Sequence, residues 1–491
     1  MIFVYLLIGF VVLFGITNYL QAIVRVKEKA GTCSYGLKLS MKTLITFLYL
    51  YPCGILLGFS IVLINNPVAI LGEMHYGWVI AIYSIVILAI IILGITLIWQ
   101  QITYEYTNYF MSNITHRVVL SFIVLAIALI SMIIGLSTVD GKTIIIKEAK
   151  HINIVNNIPN AENLNFVLET DIDCNLAGDS WYGSIENYYG EFDGNYHSIK
   201  NLDFSSTQPG NFGLFKNNKG VIKNLRIEDS YVRIYGERYS NGIEVSSYGL
   251  LCGVNYGEID NCSVKDTFIH KATGYRGGVT YVGGLVGINE NGKITCCEFV
   301  NEKTADKNKW GDKIFNYSIY VDAQSSIMGN PSSCFYVGGI CGQTINGEIS
   351  NCLTGPSTMH IYMQFSLGKP LLSTGGLIGK ADGNYIINNS VSLAECSNSK
   401  ESTPGYNINN YCGVFISTAG DNGPITNSYA KPSSSAWIIG NKSEGLSGVT
   451  ELISSDIQVN DLGGNYISWS KTDKWYPSPC KGFDGQDVQE S

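Results

Sequence analysis

The chain has 491 residues, of which 46% are hydrophobic and 15% are charged, and it contains 53 Gly, 31 Tyr and 13 Cys. Residues 1–140 hold six Lys or Arg and four acids, which leaves 26 of the 32 basic and 36 of the 40 acidic residues in 141–491. An acidic, Gly- and Tyr-rich body excludes a nucleic-acid partner, because phosphate contacts need a basic surface.

Four apolar runs free of Asp, Glu, Lys and Arg occupy the first 140 residues, at about 1–24, 44–65, 77–99 and 118–138. Each is long enough for a helix to cross a hydrocarbon core about 30 Å thick. The fold class predicted for residues 1–140 is therefore an N-terminal four-helix transmembrane region, with the lipid bilayer as its partner. Since the runs hold no ionisable group, we expect an anchor and not a transport path.

The basic residues of the short loops predict how these runs are oriented. The loop 25–43 carries five Lys or Arg, whereas the loop 66–76 carries none. Because positively charged loops stay in the cytoplasm, four crossings place residues 140–491 on the other side of the membrane. We therefore expect a multi-pass membrane protein with an extracytoplasmic body.

A glycine-containing motif recurs from about residue 212. Its shared glycines lie 36, 35, 55, 37 and 37 residues apart, and the long interval contains an insertion around 301–331. These structural repeat positions are Gly213, Gly249, Gly284, Gly339, Gly376 and Gly413. A period of this size is typical of a solenoid.

Each copy contains short alternations of apolar and polar residues that are separated by Gly/Asn turns, a pattern that indicates strands. Stacked coils of such strands form an all-β parallel β-helix, or β-solenoid, as the exterior domain. An antiparallel sandwich or a propeller is the alternative. The predicted domains are the transmembrane region 1–140, a first coil and cap 141–210, the repeats 211–435, and a C-terminal cap and tail 436–491.

Cysteines recur at one position of this repeat. Cys262, Cys297 and Cys352 each follow the glycine of their copy by 13 residues, and Asn389 takes that offset in the fifth copy. A recurring buried position predicts a column of small side chains in the core. We expect mostly buried free thiols that behave as small hydrophobes, and one disulfide is left open. The absence of a Cys-x2-Cys pair argues against a zinc site.

The copies resemble the GLUG motif, the Gly-Leu-hydrophobic-Gly repeat of bacterial surface proteins, which also occurs in the non-catalytic region of immunoglobulin A1 protease-type proteins. Residues 284–287 and 376–379 match it best, and the copies at 213, 249 and 413 are degenerate. The resemblance covers about 150–480. It implies a right-handed parallel β-helix on a bacterial surface and a role in adhesion, and it implies no catalytic residue. Together with the four apolar runs, which the resemblance does not cover, it leads us to expect localisation in a bacterial cell membrane.

Motifs that carry chemistry are missing from the sequence. No histidine is followed by Glu, which excludes a His-Glu-x-x-His zinc protease, and neither a Walker loop nor a Gly-x-Ser-x-Gly elbow occurs. Asp171 and Asp173 are spaced to share a strand face, and so are Glu191 and Asp193. Both pairs lie in the predicted first coil and cap, 141–210, which we call the lead-in, and this position favours structural roles. We predict no metal and no cofactor, and whether the chain is an enzyme stays open.

Aromatic residues in loops are the candidates for ligand binding, because Tyr and Trp offer broad, rigid contact area. One group lies in the first coil and the other in the 301–331 insertion: Trp181, Tyr182, Tyr188, Tyr189, Trp310, Tyr317 and Tyr320. They either bind a surface glycan or protein, or they cap the solenoid ends. The predicted function is adhesion or recognition. The alternative is a carbohydrate-active enzyme, a polysaccharide lyase or hydrolase, on the same scaffold. The oligomeric state is left open.

Overall fold

The structure is a computed structural model. It describes residues 23, 26–27, 30–32, 34, 143–149, 161–174, 185–206, 210–235, 244–272, 278–303, 317–325, 333–366, 370–400, 409–420, 423–431, 437–439, 448–452 and 478–480. The chain divides into two units, Met1–Lys142 with Asn157–Pro159, and Thr143–Asn156 with Asn160–Ser491. The fold described below is that of the second unit.

Short strands follow one another along this unit, in agreement with the alternating sequence pattern. The lead-in has one 3-10 helix, Ala161–Asn163, among its described residues, and these strands: β1 (Thr143–Ile146), β2 (Asn165–Leu168), β3 (Ile172–Asp173), β4 (Ile185–Tyr188), β5 (Glu191–Asp193), β6 (Ser198–Lys200) and β7 (Asp203–Ser206).

Five coils of five strands come next. Coils one and two contain β8 (Asn211–Phe212), β9 (Phe215–Asn218), β10 (Val221–Lys223), β11 (Arg226–Glu228), β12 (Tyr231–Tyr235), β13 (Glu244–Tyr248), β14 (Cys252–Asn255), β15 (Glu258–Asp260), β16 (Ser263–Lys265) and β17 (Phe268–Ala272). Coil three contains β18 (Gly278–Gly283), β19 (Val286–Glu290), β20 (Lys293–Thr295), β21 (Glu298–Val300) and β22 (Ile319–Ser325).

Coils four and five contain β23 (Cys334–Gly338), β24 (Cys341–Ile345), β25 (Glu348–Ser350), β26 (Leu353–Thr354), β27 (Thr358–Ser366), β28 (Leu371–Gly375), β29 (Ile378–Asp382), β30 (Ile386–Asn388), β31 (Val391–Ser392) and β32 (Glu395–Lys400). The last described strands are β33 (Asn409–Ala419), β34 (Ile425–Thr426), β35 (Ser428–Ala430), β36 (Trp437–Ile439) and β37 (Val449–Glu451).

Corresponding strands of successive coils pair side by side and run parallel in all four sheets. The first sheet contains β1, β2, β5, β10, β15, β20, β25, β30 and β34, the second β3, β6, β11, β16, β21, β26, β31, β35 and β37, and the third β7, β12, β17, β22, β27 and β32. The remaining 13 strands form the fourth sheet, which β33 closes by pairing with both β28 and β29. This is a parallel β-helix, and it excludes the antiparallel sandwich.

The core consists of side-chain columns that run along the helix axis. In the first sheet one inward position is isoleucine in six successive coils, and all six are at most 5% exposed: Ile222, Ile259, Ile294, Ile349, Ile387 and Ile425. Burying one such side chain stabilises the fold by about 1.5–3 kcal/mol. The strands therefore form because alternation supplies one apolar face, and the stacking of coils removes that face from water.

A polar column lies beside the apolar ones and closes the turn after β9, β14 and β19. Asn218 Nδ2 donates to Asn255 Oδ1 at 2.8 Å, and Asn255 Nδ2 donates to Asn289 Oδ1 at 2.8 Å. Each of these amides also donates to a glycine carbonyl in its own turn. All three side chains are fully buried, so every coil depends on its neighbour to satisfy its amide.

The corner between the first and second sheets requires a left-handed backbone in each coil. Asparagine, which tolerates that conformation better than most residues, occupies it with φ between 47° and 53° at Asn224, Asn261, Asn351, Asn389 and Asn427. In coil three the same position is Cys296, with φ 52°. A thiol thus replaces the amide in only one of the six coils that this column spans.

The fold-class prediction of a four-helix transmembrane region is wrong for this structure. The described residues are nearly all parallel β-sheet, and no helix among them has the length and apolar character needed to cross a membrane. Apart from Ile23, the four predicted spans lie outside the described residues. The physical reason for the error is that an uncharged apolar run shows what must be buried, whereas periodicity alone does not distinguish the element that buries it.

Candidate functional site

The two strand rows of the fourth sheet meet at a sharp corner that the glycines create. In coil three the corner is Gly283-Gly284-Leu285, with Leu285 fully buried. A Cβ atom on Gly284 would overlap the ring of Phe299 across the core, and one on Gly283 would overlap the Val286 carbonyl. Glycine is therefore needed here for close packing, and the tight corner leaves a concave surface on the outside of the coil.

One wall of this concave surface is formed by β13, β18, β23 and β28. Val245, Val279, Cys334 and Leu371 are neighbours along it, and Val245 is 51% exposed, so this column faces outward. Side chains two residues further along a strand lie on the same face. Tyr281 and Tyr336 occupy that position, and their rings stack with centroids 5.1 Å apart and planes 14° apart.

The other wall is formed by β14, β19, β24 and β29. Val254 and Ile288 pack against Tyr281 and Tyr336 in one apolar cluster, with Val279, Cys334, Ile345 and Leu371 around it. We call this surface, Val254, Tyr281, Ile288 and Tyr336 with those four neighbours, the tyrosine groove. The groove is separate from the inward columns, because its members occupy the positions of their strands whose side chains point away from the interior of the β-helix.

Charged and amide groups extend the groove toward the C-terminal coils. Lys380 and Gln343 continue the column of Val254 and Ile288. Lys380 Nζ lies 5.2 Å from the Tyr336 ring centroid and 2.8 Å from Asp382 Oδ2, and Gln343 Nε2 donates to the same carboxylate at 2.6 Å. A cation, an acceptor and an amide therefore lie together beside the tyrosine stack.

Amides extend the same groove toward the N-terminal coils. Asn217 and Asn187 continue the Val254 column. Asn211 spans the groove, because its Nδ2 donates to Asn217 Oδ1 at 2.7 Å and its Oδ1 accepts from Ser247 Oγ at 2.8 Å. The tyrosine groove thus has an apolar, aromatic middle and a hydrogen-bonding region at each end.

The phenols of the groove are held in their neutral form. Burial, together with the nearby Asp382 and Cys334, raises the pKa of Tyr281 to about 12. Burial also raises the pKa of Tyr336 above its ordinary value, and the neighbouring Cys334 and Tyr281 add to that effect. At physiological pH both side chains therefore carry a neutral hydroxyl, and that of Tyr336 is hydrogen-bonded to the Cys334 side chain.

The aromatic residues predicted as ligand-binding candidates in the lead-in have different environments. Tyr188 is fully buried, stacks on Phe215 at 4.4 Å and donates from its hydroxyl to the Leu164 carbonyl, so it belongs to the core. Tyr189 is 50% exposed, and Lys219 Nζ donates to its hydroxyl at 3.0 Å. Trp181 and Tyr182 lie outside the described residues, as does Trp310 of the insertion.

Tyr189 begins a ridge that borders the tyrosine groove. The strand pairing places one residue from each coil next to the last along this ridge: Tyr189, Lys219, Tyr256, Glu290, Ile345 and Asp382. Ile345 is also one of the groove residues, and Asp382 lies at the polar end of the groove. One predicted aromatic thus lies on the border of the groove that the structure reveals.

Tyr317 and Tyr320 come together on the third sheet with a histidine that the sequence did not single out. Tyr317 stacks on His360 at 4.5 Å and on Tyr320 at 5.7 Å. His360 bonds through both ring nitrogens, to the hydroxyls of Ser397 and Ser399 at 2.7 Å each. Burial lowers the pKa of His360. Tyr320 and His360 are each 7% exposed, which is as little as Tyr281 at 8% and Tyr336 at 6% in the groove.

The repeat glycines align as expected from Gly213 to Gly249 and from Gly284 through Gly339 to Gly376, whereas the other two steps are shifted by one residue. Tyr248 pairs with Val282, so Gly249 lies beside Gly283 and not beside Gly284, and Gly413 pairs with Gly375 and not with Gly376. The turn after Asn289 is one residue longer than the turn after Asn255. The shift at the corner and the longer turn cancel, which is why the offset of 13 residues still reaches Cys262 and Cys297.

Cys262, Cys297 and Cys352 form a fully buried column in the second-sheet corner. The Cys262 N–H donates to Cys297 Sγ at 3.4 Å, and each thiol donates to the carbonyl two residues before it. Ser390 continues the column and bonds the Cys352 N–H, while Asn389 lies in the left-handed column instead. The fifth coil is displaced because its turn has three residues where the fourth has two.

The carboxylates weighed for catalysis make structural contacts. Asp171 accepts from the Ser198 N–H at 2.9 Å and lies 3.3 Å from His197 Nδ1, and Asp173 accepts from Asn201. Lys223 Nζ lies 2.8 Å from Glu191 and 3.6 Å from Asp193. The contacts of Asp171 and Asp173 join segments within the lead-in, and the ion pairs of Lys223 join the lead-in to coil one.

Sequence reasoning missed the tyrosine groove, although a signal for it was present. Tyr-Val-Gly-Gly occurs at residues 281–284 and again at 336–339, with the tyrosine at a constant offset before the glycine pair. A constant offset means neighbouring positions in stacked coils. The outward direction of these tyrosines was not readable, because it depends on how sharply the chain turns at the following corner.

Together these features define the class of molecule as a parallel β-helix with an outward-facing aromatic groove. No protein-family model and no curated protein matches the chain. Among solved structures the chain is similar to one described as IgA1 Protease, with 17% identity and a TM-score of 0.33. The match covers 62% of this chain and 21% of that one, so this chain spans about a fifth of its length. The β-helix assignment rests on the strand pairing.

Proposed function

We propose that this chain is a recognition protein whose β-helix binds an elongated surface glycan along the tyrosine groove. The observation that carries the proposal is the stack of Tyr281 on Tyr336 on the outer side of the coils, where the two side chains are 8% and 6% exposed and hydrogen-bonding groups lie at both ends. Binding residues held on paired strands keep their positions at little entropic cost, which favours recognition by a preformed surface.

The chemistry of the groove favours a glycan over a purely apolar ligand. Sugars combine apolar ring faces with hydroxyl groups, and aromatic side chains accommodate the former while amides, carboxylates and ammonium groups bond the latter. From Asn217 to Lys380 the groove crosses four coil steps of about 4.8 Å, or about 19 Å in all. That length suits several sugar units lying along the axis.

The proposal includes two expectations from the sequence. Residues 140–491 are expected to face the outside of a bacterial cell, where surface or host glycans are within reach, and binding there would serve adhesion. A protein ligand is the other partner that the sequence left open. It would meet the same apolar middle, but it would not require the separate polar ends.

The alternative hypothesis, a carbohydrate-active enzyme, has less support than the hypothesis of a binding protein. Hydrolysis of a glycosidic bond uses two carboxyl groups that flank the bond. Among the described residues of the groove, Asp382 is held by Lys380 and Gln343, and the carboxylates of the lead-in join strands. No specific observation supports cleavage over binding.

A glycan-array and host-matrix screen with the full chain tests the proposal. We expect binding to at least one polysaccharide, with a loss of tenfold or more, about 1.4 kcal/mol, for Tyr336→Ser. Ile386→Ser is the matched control, because Ile386 is an exposed apolar residue of the first sheet, away from the groove. Thermal melting of each variant checks that the fold is retained.

Three outcomes would overturn this proposal in whole or in part. Binding that Tyr336→Ser and Lys380→Gln leave unchanged would remove the groove as the site. Release of soluble sugar from a polymer, measured as new reducing ends, would replace binding with catalysis. A ligand that proves to be a protein and is lost with Tyr336→Ser would retain the groove and reject the glycan.

A further inference from the structure

A short C-terminal segment, Ser478–Cys480, lies across the outside of the second sheet, and we call it the C-terminal strap. It contacts coils two and three, more than 180 residues earlier in the chain. Ser478 Oγ donates to Glu298 Oε2 at 2.5 Å, and Ser263 Oγ donates to Glu298 Oε1 at 2.8 Å. Glu298 is 6% exposed, so the strap closes a buried carboxylate site.

The strap brings its cysteine to the corner of coil three. Cys480 Sγ donates to the Cys296 carbonyl at 3.1 Å, and it lies 3.5 Å from the Cys262 carbonyl. Cys480 is 4% exposed, whereas Cys296 is half-buried. The thiol of the strap thus lies next to the backbone of the residue whose own thiol is within reach of solvent.

Cys296 is also the residue that departs from the pattern of its column. The coils on either side place Asn261 and Asn351 in the same left-handed position, where asparagine carries less strain than cysteine. The exception falls in the coil that the strap covers. Two independent observations therefore point to Cys296, namely its unfavourable backbone conformation and its contact with Cys480.

We propose that Cys296 and Cys480 form a disulfide site that fastens the C-terminal strap to coil three. The structure holds both residues as thiols. A low-molecular-weight disulfide such as oxidised glutathione is the oxidant. The bond closes a loop of 184 residues, and it secures the strap over Glu298.

The reaction proceeds by two thiol–disulfide exchanges. The Cys296 thiolate attacks the oxidant, forms a mixed disulfide and releases one small thiolate. The Cys480 thiolate then attacks the Cys296 sulfur, forms the Cys296–Cys480 bond and releases the second small thiolate. Two protein thiols are oxidised, one small disulfide is reduced to two thiols, and the two protons pass to the released thiolates.

The second exchange is the slow one. Burial, with Glu298 close by, raises the pKa of Cys480 well above its ordinary value, so little thiolate is present while the strap is docked. Brief opening of the strap exposes Cys480 and allows the attack. Once formed, the disulfide prevents the strap from opening fully.

The test uses the full chain incubated with oxidised glutathione, followed by tryptic digestion without reductant and mass spectrometry. Trypsin leaves Cys480 in the peptide 475–481, but Cys296 and Cys297 in one peptide, 294–303. We expect these two peptides to be linked. Cys296→Asn, which restores the residue of the column, should lower the linked fraction at least tenfold, while Cys297→Ser should retain it.

A stability measurement provides the second readout. Oxidation should raise the melting temperature of the wild-type chain by several degrees, as closure of a long loop does. It should leave Cys296→Asn unchanged, and that variant keeps Cys480 and the contacts of the strap. Linkage to Cys297 or Cys262, Cys480 that still reacts with iodoacetamide after oxidation, or equal responses of wild type and Cys296→Asn would each overturn the proposal.

Discussion

In the first sheet isoleucine fills one inward position through six coils, from Ile222 to Ile425. On the outer side of the fourth sheet the corresponding column changes from coil to coil, as Asn217, Val254, Ile288, Gln343 and Lys380. Each inward side chain packs against the equivalent side chain of the coil before and the coil after it, so a residue of the same size and polarity fits at that position in every coil. Outward side chains lack that constraint, and their variety is available for recognition.

The largest expected effect comes from breaking the inward column. Ile387 is fully buried and Ile386, its neighbour in β30, is 44% exposed. Ile387→Ala should lower the free energy of unfolding by about 3–4 kcal/mol, because it removes buried methyl groups and leaves a cavity. Urea unfolding measures this difference. Ile386→Ala should cost less than about 0.5 kcal/mol; equal costs would mean that the two faces are wrongly assigned.

The asparagine column should respond next. Asn255→Ala removes a fully buried amide and leaves Asn218 and Asn289 with lost partners, so we expect a loss of about 2–3 kcal/mol. Asn217→Ala changes the same residue type on the outward side of the neighbouring coil, where water replaces the lost bonds. If the two variants melt at the same temperature, the inward amides do not hold the coils together.

The last effect appears only at alkaline pH, and it sharpens the description of the tyrosine groove. The folded-state pKa of Tyr281, raised to about 12, exceeds the value near 10 of an unfolded tyrosine. The resulting stability is complete below pH 10 and is lost as the pH rises from 10 to 12, by about 1.4 kcal/mol per pH unit. Tyr281→Phe should remove this part of the slope in urea unfolding at several pH values, whereas Tyr196→Phe, in an exposed turn, should leave it unchanged.

The period and the class of coil were predictable because both depend on repeated local patterns. The glycine spacing predicted stacked coils, and the alternation of apolar and polar residues predicted strands within them. The parallel pairing of the strands confirms both predictions. The pattern could not assign the apolar N-terminal runs, since burial alone does not define an element. It also aligned Gly249 with Gly284, because an insertion in a turn and a shift at a corner cancel over one period.

The candidate site was only partly predictable. The aromatic pair Tyr188 and Tyr189 was predicted to bind a ligand. Tyr189 lies on the ridge beside the groove, whereas Tyr188 is in the core. Tyr188 ends β4 and Tyr189 follows it, and because adjacent residues of an extended chain point to opposite sides, composition alone does not show which of the two is exposed. Tyr281 and Tyr336 escaped notice because strands rich in aromatic residues usually bury them inward.

By itself the sequence determined a winding of short β-segments with an apolar interior, because alternation, turn residues and a fixed period are all local properties. Only the tertiary structure decided which side chains stand next to each other across coils, which corner is concave, and where Cys480 returns to the chain. Those outcomes depend on turn lengths summed over whole coils and on contacts across more than 180 residues, and no local pattern encodes either.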